Sequence, residues 1–242
     1  PNEWNPAAAK INVGVTAAVE TDRCNPEWTV ACNRMDHVIV PSVHVKKCLE
    51  NSGKIEKPLS VIPESYPDAF RGNPSDLSSK LQLETNFNFL VFGQLTGNNP
   101  HNDRKNTFYT IKWLCEVFKD DKDVGIIIKT NMGRNSKIDR KLVSNTLAQL
   151  LKETRKTQFP KVYLVHGDMN DDEVFSLHRE PSVKALVALT RGEGYGLPIL
   201  EAAVAGLPVI ATNWSGHLDF MDLGKFIKVD YELKPVHQSR VD

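Results

Sequence analysis

Thr190-Arg-Gly-Glu-Gly-Tyr-Gly-Leu-Pro-Ile-Leu-Glu201 follows the apolar run 184–189 (KALVAL) and is followed in turn by AAVAGLPVIAT. The run reads as a buried strand. Gly192, Gly194 and Gly196 form a loop, and Pro198 stands in the first turn of a helix, where proline fits best. Glycines let the backbone approach a ligand closely. A helix start offers unpaired N–H groups and the positive end of a dipole. The combination is a phosphate cradle. Two carboxylates, Glu193 in the loop and Glu201 in the first turns of the helix, flank it with seven residues between them. Carboxylates accept hydrogen bonds from vicinal hydroxyls, so the stretch reads as a site for phosphate plus sugar. The plainer alternative is a tight strand-to-helix turn whose Glu201 complements the helix dipole.

Outward from that stretch, strands and helices alternate. Strands are expected at 11–19, 37–41, 59–62, 89–92, 124–129, 161–165, 184–189, 208–212 and 226–229. Helices are expected at 25–34, at 43–52 between the cap Ser42 and Gly53, and at 104–119, 136–156, 171–178 and 198–205. Phe108, Ile111, Leu114, Cys115 and Phe118 mark the stripe of the third helix. Several strand runs are apolar throughout rather than alternating, which implies burial on both faces, as in a parallel sheet covered by helices. The expected fold is therefore α/β, with a doubly wound parallel sheet whose ligands bind beyond the C-terminal strand ends. Pro63, Pro67 and Pro74 punctuate a connector over 63–85. It separates an N-terminal unit, 1–62, from a larger one, 86–242.

Composition narrows the function classes. The 242 residues carry 30 basic and 30 acidic side chains, a formal net charge of zero, which argues against nucleic-acid binding by bulk charge. No apolar stretch approaches the roughly 18 residues of a membrane span. Cys24, Cys32, Cys48 and Cys115 form no CxxC pair, which suits reduced thiols in a cytoplasmic protein. The seven histidines are scattered, and no metal site is expected. Asp121-Lys-Asp123 matches a DxD metal motif but precedes a strand instead of following one, and reads as a solvated turn. The spacing Gly192-x-Gly-x-Gly196 is not the GxGxxG of a nicotinamide-binding unit and does not follow the first strand of its unit.

EGYGLPILE with AAVAGLPVIAT closely resembles the donor-site signature of retaining GT-B glycosyltransferases, the group containing glycogen- and sucrose-synthase relatives and many mannosyl and lipopolysaccharide transferases. MDHVIVPS resembles the strand and Ser that close that family's N-terminal domain, and SVIPES its interdomain hinge. FGQL with Arg104-Lys105-Asn106 resembles its first donor-domain strand and basic loop, and YLVHGDM the strand leading to the nucleobase pocket. The resemblance spans about 11–229. It implies a Rossmann-like donor domain at 86–242, preceded at 1–62 by the C-terminal part of a second Rossmann-like, acceptor-side domain.

By the same resemblance, Glu193 contacts hydroxyls of the transferred sugar and Glu201 binds the ribose. The backbone near Gly194, Tyr195, Gly196 and Leu197 holds the diphosphate. Arg104, Lys105 and Lys129 neutralise the leaving group, and Gly93, Met169 and Thr190 complete the donor pocket. Fixed cations stabilise a departing diphosphate without metal, so no cofactor is expected and the nucleotide sugar is a substrate. The implied activity is retaining transfer from a UDP- or GDP-sugar to a glycan, lipid or small molecule. A sugar-nucleotide epimerase or a non-catalytic sugar-nucleotide binder are the alternatives. The sequence departs from the family in three places: Gln94 stands where Arg is frequent, the hinge lacks Asn-Gly, and Thr16, Glu20 and Thr21 stand where a His is usual. Only about 60 residues precede the hinge, against roughly 150 for a whole domain of this kind, so a fragment of a longer chain is expected.

Overall fold

A computed structural model describes residues 1–18, 21–95 and 100–236. Two separate sheets form, and every strand pairing in both is parallel.

The first sheet has the order β1 (Val13–Val15), β2 (His37–Val40), β3 (Leu59–Val61), with helices α1 (Pro26–Asn33) and α2 (Val43–Ser52) in its crossovers. Cys32, Val38, Val40, Val45 and Leu49 make its small core. Ser42 caps α2, its Oγ accepting from Val45 N at 3.1 Å. The expected strand at 11–19 is shorter in the structure. After Val15 the chain turns out of the sheet, Thr16 N still donating to Ile39 O at 3.1 Å and Ala18 adopting φ 45°. Val19 and Glu20 lie outside the described residues, as does 237–242.

The 63–85 segment holds a 3-10 turn, Asp68–Arg71, and the short helix α3 (Ser78–Leu81). The second sheet then contains β4 (Phe87–Phe92), β5 (Val124–Thr130), β6 (Lys161–His166), β7 (Val183–Ala188), β8 (Val209–Thr212) and β9 (Ile227–Val229). Its spatial order is β6-β5-β4-β7-β8-β9. The chain winds outward from β4 in one direction and then returns to wind outward from β7 in the other. The crevice between β4 and β7 is the topological switch point, where such sheets bind ligands. Helices α4 (Thr107–Val117), α5 (Lys137–Thr154), α6 (Asp171–His178), α7 (Leu197–Val204) and α8 (Leu218–Met221) complete the unit.

Unbroken apolar runs build this sheet because each strand is sandwiched. All seven residues of β5 are buried. Ile126 and Ile128 face one layer with Ile111 of α4 and Val143, Leu147 and Leu150 of α5. Ile127 faces the other with Leu177 of α6 and Ile199 and Ala202 of α7. Alternate side chains of one strand thus serve two cores.

One expected boundary moves in a way that matters. The helix expected from 104 begins at Thr107 instead. Asn106 adopts a left-handed conformation, φ 54°, and Asp103 Oδ2 accepts from Thr107 N and Phe108 N. Arg104 and Lys105 therefore lie in the turn before α4 and do not oppose its dipole from within the first turn. Replacing Ile127 by Ala leaves a cavity between the sheet and α6–α7. The expected loss is about 2–5 kcal/mol of stability, read as a lower urea midpoint.

Candidate functional site

Gly93 follows β4 directly, and its N–H donates to Lys129 O at 3.0 Å. Thr190 lies just beyond β7. The connections leaving these two neighbouring strands are fastened together. Arg191 N donates to Arg104 O at 2.9 Å, and Asn106 Nδ2 to Leu189 O at 3.0 Å. The Arg191 guanidinium reaches His101 O at 2.6 Å and Pro100 O at 2.9 Å.

Glu193 stands at the centre with only 6% of its surface exposed. Lys105 Nζ lies 2.7 Å from Glu193 Oε1, and Arg104 Nη1 lies 3.2 Å from Oε2. Arg104 Nη1 also donates to Gly192 O at 3.3 Å. The backbone of Glu193 is tied to the loop after β8. Its N–H donates to Ser215 Oγ at 2.8 Å, and Gly216 N donates to its carbonyl at 2.8 Å. Residues 89 positions apart in the chain thus meet as one buried acid between two cations.

Gly194, Tyr195, Gly196 and Leu197 lead into α7. Gly196 is the N-cap at φ 96°, a conformation open to glycine at no steric cost. A Cβ on Gly194 would lie 2.5 Å from Ala17 O, so the N-terminal unit touches the loop here. Ser42 Oγ donates to Gly194 O at 2.6 Å. Tyr195 is buried against Phe220, ring centroids 5.1 Å apart. Burial, followed by the charges of Glu64 and Asp219, raises its phenol above the ordinary value. Leu197, the first residue of α7, remains exposed.

Four further residues named from the sequence are Lys129, Met169, Thr190 and Glu201. Lys129, near the end of β5, donates to Asn131 Oδ1 at 2.6 Å and Gly167 O at 2.7 Å. Burial lowers its ammonium pKa, and Asp168 partly restores it. Lys129 is therefore held towards β6, by the residues that follow β5 and β6. Met169, beyond β6, packs against the α6–α7 core. Thr190 is buried; its carbonyl accepts from Thr212 Oγ1 at 3.0 Å, while its own Oγ1 has no hydrogen-bond partner. Glu201 sits one turn into α7, with Oε2 3.8 Å from His178 Nε2.

Sequence reasoning did not single out Ser215, His217 or His178 for this site. The ring of His217 is fully buried, with Nε2 2.8 Å from Thr212 O and Nδ1 3.5 Å from Ser215 Oγ. A short polar run after β8, Asn213-Trp-Ser-Gly-His217, was the available signal. Asp121 and Asp123 lie at the opposite end of the sheet, ahead of β5, where Asp121 Oδ1 accepts from Asp123 N at 3.0 Å. Among the described residues no three His, Cys, Asp or Glu side chains gather as metal ligands would. No described helix is long and apolar enough to cross a membrane.

The family model described as Glycosyl transferases group 1 matches residues 143–230. No curated protein matches the chain. Among solved structures, the E. coli trehalose-6-phosphate protein bound with UDP-2-fluoro glucose superimposes with a TM-score of 0.62 at 9% identity, covering 90% of this chain and 56% of that one. The Burkholderia xenovorans alpha,alpha-trehalose-phosphate synthase (UDP-forming), in complex with glucose-6-phosphate, gives 0.63 at 10% identity, covering 90% and 56%. An S. aureus TarM variant in complex with Fondaparinux, alpha-GlcNAc-glycerol and UDP gives 0.59 at 15% identity, covering 89% and 40%. The chain spans about half the length of the first structures it matches, 54% and 56%. Its fold is that of the GT-B glycosyltransferases.

His217 gives the site a pH signature. Burial holds its imidazole pKa below the ordinary 6.5, against the raising effects of the Thr212 carbonyl and of Glu193 and Asp222. Below that pH the unfolded chain takes up a proton that the folded chain resists. Stability therefore falls as pH drops from 6.5 towards the folded value, by at most about 1.4 kcal/mol per pH unit. Urea unfolding between pH 7.5 and 5.5 checks this: the slope should be smaller in His217→Gln than in wild type.

Proposed function

We propose that the chain carries the donor-binding half of a retaining, metal-independent glycosyltransferase. The substrate is a UDP- or GDP-sugar, and the acceptor is a glycan, a lipid or a small molecule. The observation that carries this reading is the convergence of Arg104 and Lys105 on the buried Glu193 carboxylate, at the switch point and beside the N-terminus of α7.

The chemistry needs two opposite things within a few ångströms. A departing nucleoside diphosphate develops negative charge, which preorganised cations and N–H groups stabilise best where water is excluded. The sugar presents hydroxyls, which a carboxylate accepts. Arg104 and Lys105 supply the cations, with Lys129 across the crevice. The N–H groups of residues 195–197 supply the helix-start donors. Glu193 supplies the acceptor for the sugar, and the two cations that hold it are shared with the diphosphate when the donor enters. Glu201, one turn into α7, receives the ribose diol, and Met169 borders the base. The group 1 family match over 143–230 includes both carboxylates. Two of the similar structures hold UDP or a UDP-sugar analogue, which makes UDP-sugars the first probes. A thermal-shift series with UDP-, GDP- and ADP-sugars identifies the donor, since a ligand of the folded state raises its apparent stability.

The two carboxylates are expected to fail differently. Hydrogen bonds to a charged group contribute about 1.5–3 kcal/mol. Glu201→Ala should weaken nucleoside diphosphate and nucleotide sugar alike, by about 10- to 150-fold. Glu193→Ala should spare the bare diphosphate, whose cations it releases, and damage binding of the sugar-bearing donor and its turnover. Calorimetric titration of both variants with both ligands separates the cases. Wild-type affinities throughout would remove the carboxylates from the site.

Metal dependence is a separate test of the same reading. Because Arg104, Lys105 and the start of α7 provide the positive charge, transfer should persist in excess EDTA. Complete loss on chelation, restored by Mn²⁺, would count against it.

A further inference from the structure

We infer that His178 is a positioning residue for the Glu201 carboxylate, donating a ring N–H to it when a nucleotide ribose occupies the site. The inference rests on the reading of Glu201 as the ribose-binding group.

His178 is the last residue of α6, and its side chain is fully buried. Neither ring nitrogen has a hydrogen-bond partner. A buried imidazole with both nitrogens unmet is rare in a folded protein and calls for a reason. The ring is held in place by its neighbours. It stacks on Phe92, the last residue of β4, with centroids 5.4 Å apart and planes 19° apart. Phe70 closes on it at 6.1 Å. His178 therefore sits beneath the switch point with its ring plane fixed.

Glu201 Oε2 lies 3.8 Å from His178 Nε2. A hydrogen bond needs an approach closer by about 1 Å, within reach of a small side-chain rotation. The backbones need not move. Arg179, the next residue, donates from Nη1 to Ala205 O at 2.9 Å and so braces the end of α6 against the end of α7. What remains adjustable is the carboxylate. A carboxylate has about four acceptor positions. A ribose diol takes two of them on the crevice side and leaves Oε2 to a donor from the interior. With the proton on Nε2, His178 is that donor. It makes no contact with the ligand; it selects the Glu201 rotamer that does.

The test uses UDP and 2′,3′-dideoxy-UDP as calorimetric probes, with the corresponding GDP and ADP pairs where UDP is not bound. Wild type should prefer the ribose form by about 10- to 150-fold, the value of hydrogen bonds to a charged group. His178→Phe keeps a ring in the stack but has no N–H. It should reduce the preference to about threefold or less and leave dideoxy affinity unchanged, whereas a general packing defect would weaken both ligands equally. His178→Gln, which retains a side-chain N–H, should keep the preference within about threefold of wild type. A preference fully retained in His178→Phe overturns this inference alone. Wild type that does not discriminate, or that binds none of the nucleotides, overturns the reading of Glu201 and this inference with it. If His178→Phe does not fold, ¹⁵N-histidine-labelled wild type decides. UDP must shift the ring nitrogen signal that His178→Gln lacks, and an unmoved signal overturns the inference.

Discussion

The ion pairs that Arg104 and Lys105 make with Glu193 are the constraint on which the rest of the C-terminal unit depends. A carboxylate removed from water survives as an anion only where cations and hydrogen-bond donors replace its hydration. Glu193 meets that condition through two side chains from the β4–α4 connection. Its backbone simultaneously fastens to Ser215 and Gly216 after β8. Three connections, leaving β4, β7 and β8, thereby converge on one residue. Removing one partner of a fully buried pair costs about 3–5 kcal/mol, because a charge is left uncompensated; at Arg104, whose side chain is 35% exposed, solvent screens the loss. The pairing is thus a structural demand as much as a chemical one. It also explains the dense fastening of 100–106 to 189–193 by Arg191 and Asn106.

This arrangement leaves the Arg104–Lys105–Glu193 cluster with one net positive charge in place of two. Two cations side by side would repel each other if nothing lay between them. Glu193 lies between them and offsets one of the two charges, holding both side chains in place. Preorganisation of this kind removes the cost of ordering long side chains at the moment of binding. Lys129 follows the same logic across the crevice, tied to Gly167 O and Asn131. Burial disfavours its charge, and Asp168 nearby favours it.

How much of this was legible in the sequence depended on how local each cause was. The fully buried strand β5 was readable from VGIIIK because burial on both faces leaves an unbroken apolar run. Helix α6 was placed at its observed limits, and its capping box from Asn170 to Glu173 is a local device. The start of α4 was misplaced because the apolar stripe says nothing of the left-handed Asn106 that precedes it. The first strand was drawn too long because the apolar letters of INVGVTAAV continue past Val15. Past it the chain turns at Ala18, and Ala17 O lies close to Gly194, more than 170 positions away, a contact the apolar letters do not announce. The same division holds for the site. Glu193 and Glu201 announced themselves by their glycine-rich setting. Arg104 and Lys105 came by resemblance to a family pattern. Ser215 and His217 had only the weak signal of the run 213–217, and His178 had none, because tertiary folding alone brings them to the crevice and a lone histidine has no periodicity to betray it.

The contact between the two units also acts on the loop that leads into α7. Ser42 Oγ uses both of its hydrogen-bonding capacities: it accepts from Val45 N to cap α2 and donates to Gly194 O. Nearby, Val43 N donates to Asp219 Oδ2 at 2.6 Å, so a side chain of α8 also satisfies the start of α2. In a trans peptide the carbonyl and the following N–H point to opposite sides. Holding the Gly194 carbonyl towards Ser42 therefore turns the Tyr195 N–H away from the N-terminal unit. Glycine at 194 is what lets Ala17 come close enough for this grip, since any Cβ would strike its carbonyl oxygen. The orientation of a backbone donor in one unit is thus set by a helix cap in the other. The N-terminal unit, with three strands among its described residues, thus has a structural role in the loop before α7.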